Sequence, residues 1–443
     1  MSSAAAVFAP PAVAPASHRR TWPLLGTLLL ISIFSQIDRI LPFILAESIR
    51  RDLNLSDTQL GLVTGLAFAL CYSLMSLPLA RAADRSSPKI VMVLCVLIWS
   101  AMTSLGGLAA SFLLLAATRF GVALGEAGAT PSAHAIIARQ IAPERRGRAI
   151  GIFAMGIPLG TMIGFAGGGA LADTIGWRSV LVGAGAMGGL IALMAMVTIR
   201  PTPPAARTPE TSEPFVRVSL RLLSNPAFRW IFIGSLVVGF AGSPFYAFAA
   251  PFLMRTYGLS ARDVGLSFGL LQGLMGIIGT IAGGAGFDRA VRAGAGRVLK
   301  PPAMLFLVAS ITTIPALLAP SAWLSIILLV PFMLSFSFLL PWAFGAAHLV
   351  AGKGKEAMAS GLILIGSGLL GPALGPVLIG LISDTATEAG LSNGLGLGLM
   401  IAPAAGLLTG LVMLVANRRI AAWVRGQPVE QTASWSVGDR PAP

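Results

Sequence analysis

Charge is scarce in this 443-residue chain: Asp, Glu, Lys and Arg make up 11% of it, against 55% hydrophobic residues. A chain this long needs far more charge to cover a water-facing surface, which excludes an ordinary soluble domain. Cysteine is nearly absent, with only Cys71 and Cys95, and there are three histidines. No Cys/His grouping has metal-ligand spacing, so neither a metal centre nor a cofactor is expected. Both cysteines fall in apolar stretches and read as small apolar residues. His134 and His348 fall at helix ends and read as interfacial. There is no Ser/His/Asp set and no phosphate-cradling glycine loop, so the chain is not expected to be an enzyme. The Ala/Pro-rich start lacks the basic opening of a secretory signal, and residues 1–20 are expected to form a disordered tail.

What the chain has in quantity is apolar stretch, with a mean hydropathy of +0.83. Crossing a bilayer takes roughly 20 apolar residues, and segments of that kind recur from end to end. The predicted spans are 24–46, 59–80, 90–110, 112–134, 149–170 and 179–198, then 228–252, 264–284, 301–319, 322–347, 357–380 and 394–416. The fold class read from this pattern is an all-α integral membrane protein of twelve helices. Fifty-two glycines fit it, because glycine lets membrane helices approach closely.

The net charge of +14 raises the question of nucleic acid, but its distribution answers otherwise. Of 31 Lys and Arg, five (Arg50, Arg51, Arg178, Arg255 and Arg262) fall in loops of one side, and Arg39 and Arg119 lie within spans. All the rest fall on the other side, with both termini. The positive-inside rule makes that side cytoplasmic. The expectation is a multi-pass protein of the cell inner membrane, monomeric, with no nucleic-acid partner.

The chain also repeats itself. At an offset of 204 residues, Arg51, Leu55, Ser56, Gly61, Leu62, Gly65 and Leu66 meet Arg255, Leu259, Ser260, Gly265, Leu266, Gly269 and Leu270. Further along the same register, Asp84-Arg85 meets Asp288-Arg289. A constant offset through loop, helix and loop predicts two parallel six-helix halves related about the membrane normal. Their expected limits are 21–199 and 227–417, with a cytoplasmic linker at 200–226 and a tail at 418–443.

The loop from Ala80 to Lys89, with Asp84-Arg85 at its centre, resembles the signature of the major facilitator superfamily, Gly-x-x-x-Asp-Arg-x-Gly-Arg-Lys/Arg. Ala80 replaces the leading glycine and Ser87-Pro88 replaces Gly-Arg. Gly284 to Arg289 echoes it in the second half. The resemblance implies a gate at Asp84, Arg85, Asp288 and Arg289, with Asp84 against the start of the helix near Glu356-Ala357. A carboxylate at a helix N-terminus gains about 0.3–1 kcal/mol from the dipole. Alone, such a pair is an ordinary charged turn; its repetition favours the gate. Gly156, Gly160, Gly164 and Gly168 form a one-face stripe in the fifth span. The resemblance implies that this face packs on the eleventh, marked by Gly366, Gly371 and Gly375.

Four ionisable residues lie deep in predicted spans: Asp38 and Arg39 in the first, Arg119 and Glu126 in the fourth. Each costs about 2.5–3.5 kcal/mol at mid-membrane, so they should pair or face a water-filled cavity. Asp38 and Arg119 sit level, ~10–12 Å below the outer ends of their spans, and Glu126 lies roughly 10 Å deeper on the face of Arg119. One reading is a buried pair that locks the first helix to the fourth. The other is a proton relay, favoured because the equivalents Gly242 and Ser243 carry no charge and because two acids and two bases lie at different depths.

Gln36-Ile37-Asp38-Arg39, the loop Ser48 to Ser56, and the run Arg119 to Ala127 resemble the Spinster branch of that superfamily. The branch includes lysosomal lysophospholipid and sphingosine-1-phosphate exporters and bacterial relatives. The resemblance implies an amphipathic lipid substrate and proton coupling, with Asp38 and Glu126 protonatable and Arg119 their cationic partner. Arg39 and Arg119 would also meet an anionic head group. Phe245, Tyr246 and Trp342, with Phe248, Phe336, Phe338 and Phe344, would supply the apolar wall. A proton-coupled exporter of drugs or small organic anions, a membrane-embedded lipid-modifying enzyme and a non-transporting receptor remain the alternatives. Repeat symmetry with paired gate loops serves alternating access and no chemistry.

Overall fold

The computed structural model describes residues 18–202, 215–294, 296–352 and 355–425, and all their regular structure is helical. The expected N-terminal tail up to residue 17, the middle of the linker at 203–214, and the tail from 426 lie outside the described residues, as does the Asp84 side chain.

Ten described helices are long and apolar enough to cross a membrane. One of them, Glu144–Thr198, is two spans joined at Gly176, whose φ of 78° is in the left-handed region that glycine tolerates. Lys300–Ala316 is apolar but, at 17 residues, slightly short. The twelve spans are therefore α1 (Thr21–Ile44), α2 (Asp57–Ala83), α3 (Pro88–Gly107), α4 (Phe112–Gln140), α5 (144–175) and α6 (177–198). The second half has α7 (Pro226–Tyr257), α8 (Ala261–Arg292), α9 (Lys300–Ala316), α10 (Ala322–Ala351), α11 (Met358–Glu388) and α12 (Gly394–Arg425). A short helix Ala46–Leu53 follows α1, and part of the expected linker is a helix, Phe215–Ser224, that seats Leu222 in the core.

The repeat is visible in local detail. Ser56 opens α2 with a capping box to Gln59, and Ser260 opens α8 with one to Asp263, at the same offset of 204. Both helices then run through a π-helical turn, Leu62–Leu66 and Gly265–Gly269. Such turns widen a helix locally and favour functional positions.

Packing divides the molecule by depth. On the side bearing both termini, here the tail side, the halves have separate cores. Leu28, Trp99 and Ile136 belong to the first, and Phe228, Phe306 and Trp342 to the second. On the far side one core spans both halves, joining Ile40, Leu45 and Phe165 to Phe245, Phe252 and Phe332. The halves thus close on the far side and part on the tail side.

Two glycine seams make that closure. A methyl group on Gly61 or Gly65 of α2 would collide with the carbonyls of Pro376 or Pro372 on α11. Gly265 and Gly269 of α8 stand equally close to Phe165 of α5. The stripe at Gly156, Gly160, Gly164 and Gly168 does not meet α11, as the resemblance implied. It packs on α1, against Ser32, Ile33, Gln36, Ile40 and Leu41, while Gly366, Gly371 and Gly375 pack on α7. The reason is that a stripe records only close approach: α1–α5 and α7–α11 are equivalent contacts within each half, and both need small residues.

Candidate functional site: a central cavity and a far-side latch

A cavity of about 790 Å³ lies between the halves and extends to tail-side residues such as Met155, Leu299 and Phe344. Its charged lining, Arg39 and Arg119, comes from the first half, together with Gln36, Thr64 and Thr161, and Gln36 Nε2 donates to Thr161 Oγ1 at 3.0 Å. The second half supplies Trp230, Phe336, Leu340 and Phe344, with Tyr246 and Gln272 as a polar pair: Gln272 Nε2 donates to the Tyr246 hydroxyl at 3.0 Å.

The four membrane-embedded charges are brought together, but with a pairing other than the expected one. Arg39 Nε donates to Glu126 Oε2 in an ion pair. Arg119 Nη1 instead donates to the Asp38 backbone carbonyl at 3.3 Å. Side-chain direction decides this. Side chains lean toward the N-terminus of their own helix, and α1 and α4 run antiparallel. Arg39 therefore leans toward the tail side and Glu126 toward the far side, so the two converge across the ~10 Å difference in depth. Arg119, on the same helix as Glu126, leans away from it. The Arg39 guanidinium also lies 4.6 Å from the ring centre of Tyr72 and 5.3 Å from that of Phe68, and that of Arg119 lies 5.2 Å from Phe68. These aromatics of α2 were not among the sequence candidates.

Both arginines line the cavity, and both acids stand behind them, Asp38 2% and Glu126 0% exposed. Asp38 Oδ1, Glu126 Oε1 and Arg119 Nε have no hydrogen-bond partner among the described residues. A buried carboxylate oxygen without a partner is costly.

Of the aromatic candidates, Tyr246, Phe336 and Phe344 line the cavity, whereas Phe245 and Trp342 are 1% exposed and sit in the core. Phe245 packs on Phe332 and Phe268, and Trp342 on Phe287 and Phe338. Consecutive helical residues point about 100° apart, and here that step leaves Tyr246 facing the cavity and turns Phe245 into the core. On α10 the lining face runs through 336, 340, 343 and 344, and 342 is off it. Arg85, Asp288 and Arg289 are exposed on the tail side, where the halves stand apart. Cys71 and Cys95 are buried free thiols, and His348 shares a 2.6 Å hydrogen bond with Ser360.

The far side holds a cluster that the sequence left among loop charges. Arg255, at the end of α7, gives both terminal nitrogens to the Asp57 carboxylate at 2.7 Å and its Nε to Glu47 at 2.6 Å. Glu47 also accepts from Arg50 and Arg51, and Asp57 from Ser383 at 2.6 Å. Burial pushes the Glu47 carboxyl up, but the hydrogen bond from Arg50 and the charge of Arg255 more than offset it, leaving it below the usual glutamate range. Asp384 of α11 accepts from the backbone N–H groups of Asp57 and Thr58, both at 2.9 Å, so a second-half carboxylate sits on the N-terminus of α2. The mirror contact is Asp173 of α5, which accepts from Arg262 N–H at the start of α8, also at 2.9 Å.

The comparisons agree with this architecture. The family model described as Major Facilitator Superfamily matches residues 27–376. An "MFS-type efflux pump" of Mycolicibacterium smegmatis is 34% identical over 89% of this chain and 92% of its own length. "Protein spinster homolog 1" of Xenopus tropicalis is 26% identical over 83% of this chain and 74% of its own. Among solved structures, a bacterial homologue of the human lysosomal transporter Spinster, in an inward-facing and unoccupied conformation, superposes with a TM-score of 0.78 at 28% identity, covering 93% of this chain and 98% of that one. With twelve spans in two like halves around a central cavity, the chain belongs to the Major Facilitator Superfamily, as a membrane transporter similar to Spinster proteins rather than an enzyme.

Proposed function

We propose that this protein is a proton-coupled secondary transporter that moves an amphipathic lipid, of lysophospholipid or sphingolipid kind, by alternating access. The observation that carries the reading is the two-sided cavity: Arg39 and Arg119 on one wall, Trp230, Phe336 and Phe344 on the other. An anionic head group meets the arginines, and a hydrocarbon tail lies along the apolar wall. The charge count makes the tail side cytoplasmic, so the cavity opens inward and the far-side cluster is the closed outer gate. Asp38 and Glu126 are the proton carriers in this reading. An anionic head group arriving at Arg39 competes with Glu126 for the guanidinium, and a released, buried Glu126 takes up a proton. Substrate and proton affinity are thereby linked. Asp84 and Asp288, with the arginines that follow them, form the inner gate when the tail side closes.

The test is uptake by proteoliposomes of lysophospholipids, sphingosine-like lipids and amphipathic drugs, with and without a pH gradient. Gradient-dependent movement of a lysolipid, lost in Arg119→Ala, is expected. A panel in which no lipid moves would refute the lipid reading. A second reading, a proton-coupled exporter of drugs or small organic anions, is favoured by the similarity to the mycobacterial efflux pump. It requires drugs to move and lysolipids to fail. Reporter fusions at Pro203 and at the C-terminus should both report the cytoplasm, and an outside signal at either would overturn the orientation.

A further inference from the structure

A second concave site lies away from the central cavity, on the tail side between the ends of α8, α9 and α12. It is a cleft of about 970 Å³ with four cations in its lining, Arg289, Arg297, Lys300 and Arg425, and no carboxylate. All four are exposed, and none makes a side-chain hydrogen bond or ion pair among the described residues. Pro301 and Met304 of α9 and Val424 of α12 continue the lining as an apolar wall, and Met304 is 47% exposed.

The positive-inside rule accounts for basic residues on this side but not for their arrangement. The loop between α8 and α9 is longer than its repeat partner between α2 and α3, and the added residues include Arg297. Its described residues Gly296 and Leu299 are held in place. Asn417 of α12 accepts from Leu299 N–H at 3.0 Å and donates to the Gly296 carbonyl at 3.3 Å. Gly294, with φ of 108°, makes the turn before it. A longer loop pinned to a neighbouring helix, presenting cations without a partner among the described residues beside an apolar face, is a built feature.

We propose that this cleft binds the phosphate of an anionic phospholipid, the head group on the four cations and the acyl chains along Pro301, Met304 and Val424. Basic pockets between spans on the cytoplasmic side suit such head groups, and guanidinium groups match phosphate oxygens two at a time. The site is independent of the transported substrate. It depends on the orientation argued above only for which leaflet supplies the lipid.

The experiment uses the full chain in detergent, titrated with phosphatidylglycerol, with phosphatidylcholine and with inorganic phosphate, with bound species read by native mass spectrometry. Wild-type protein should retain phosphatidylglycerol in preference to phosphatidylcholine. The triple variant Arg297→Gln/Lys300→Gln/Arg425→Gln should lose roughly a hundredfold in phosphatidylglycerol affinity, at roughly fivefold per cation at the surface. A control that removes three tail-side cations elsewhere, Arg145→Gln/Arg217→Gln/Arg229→Gln, should lose less than about fivefold. If the triple variant does not fold, Arg297→Gln alone, an exposed loop change, should still lose roughly fivefold. Equal retention of the two lipids, or equal losses in variant and control, would overturn the proposal. So would displacement of the lipid by inorganic phosphate at equal concentration, which would make this a site for soluble phosphate.

Discussion

Replacing Arg255 by glutamine removes the one cation that Asp57 and Glu47 share across the halves. The substitution leaves Glu47 with Arg50 and Arg51, but leaves Asp57 with only the Ser383 hydroxyl as a side-chain donor among the described residues. Both acids are buried, at 4% and 5% exposure. Breaking a buried pair by removing one partner costs about 3–5 kcal/mol. The Arg255 side chain is 21% exposed and Glu47 keeps two cations, so a figure at or below the bottom of that range, ~2–3 kcal/mol, is appropriate. The loss falls on the far-closed conformation alone, because the contact joins Glu47 and Asp57 of the first half to a residue of the second. At tenfold per 1.4 kcal/mol, the ratio of far-open to far-closed molecules should rise roughly 30- to 140-fold. Spin labels at Leu113→Cys and Leu391→Cys, in a background with Cys71 and Cys95 replaced, would report it as a longer far-side distance. Arg262→Gln serves as control and should leave the distance unchanged, since Asp173 binds its backbone N–H. If Arg255→Gln lowers the unfolding temperature but leaves the distance distribution at the wild-type position, the cluster is part of the fold and not a gate. The pH dependence has a definite sign. The closed-state value of Glu47 lies below the ordinary range, so its contribution to closure is fully present above ~4.3 and disappears as pH falls through the depressed value.

Asp384→Asn removes the charge from the N-terminus of α2 and should favour the far-open state by about 1 kcal/mol, on the same distance assay. Asp38→Asn and Glu126→Gln should each blunt pH-dependent switching. A double variant that switches with the wild-type pH profile would reduce both acids to structural roles. Gly61→Val should prevent the α2–α11 seam from closing and hold the far side open by several kcal/mol of overlap, visible as a far-side distance longer than that of Arg255→Gln. Asp84→Asn should favour tail-side opening, read from labels on the tail-side ends of α2 and α11, and an unchanged distribution at several pH values would reduce Asp84 to a surface turn.

Hydropathy and the 204-residue echo were enough to determine the fold. Each is a one-dimensional property: a span needs length and apolarity, and a repeat needs only register. The same holds for the presence of Asp38, Arg39, Arg119 and Glu126, because a charge within an apolar span is conspicuous wherever it points. Which of them pair was decided by tertiary structure. Depth along separate helices put Arg119 level with Asp38, whereas the opposed lean of side chains on antiparallel α1 and α4 joined Arg39 to Glu126. Rotation about each axis chose Tyr246 over Phe245 for the cavity, a difference that composition does not carry. The partners of the glycine stripes were likewise hidden, since small residues announce a close neighbour without identifying it. The far-side cluster was the least legible, because Glu47, Asp57, Arg255 and Asp384 are ordinary interfacial charges until four separate segments meet. Only folding brings residues 57 and 384 within 2.9 Å of each other, and no local pattern in either segment encodes that distance.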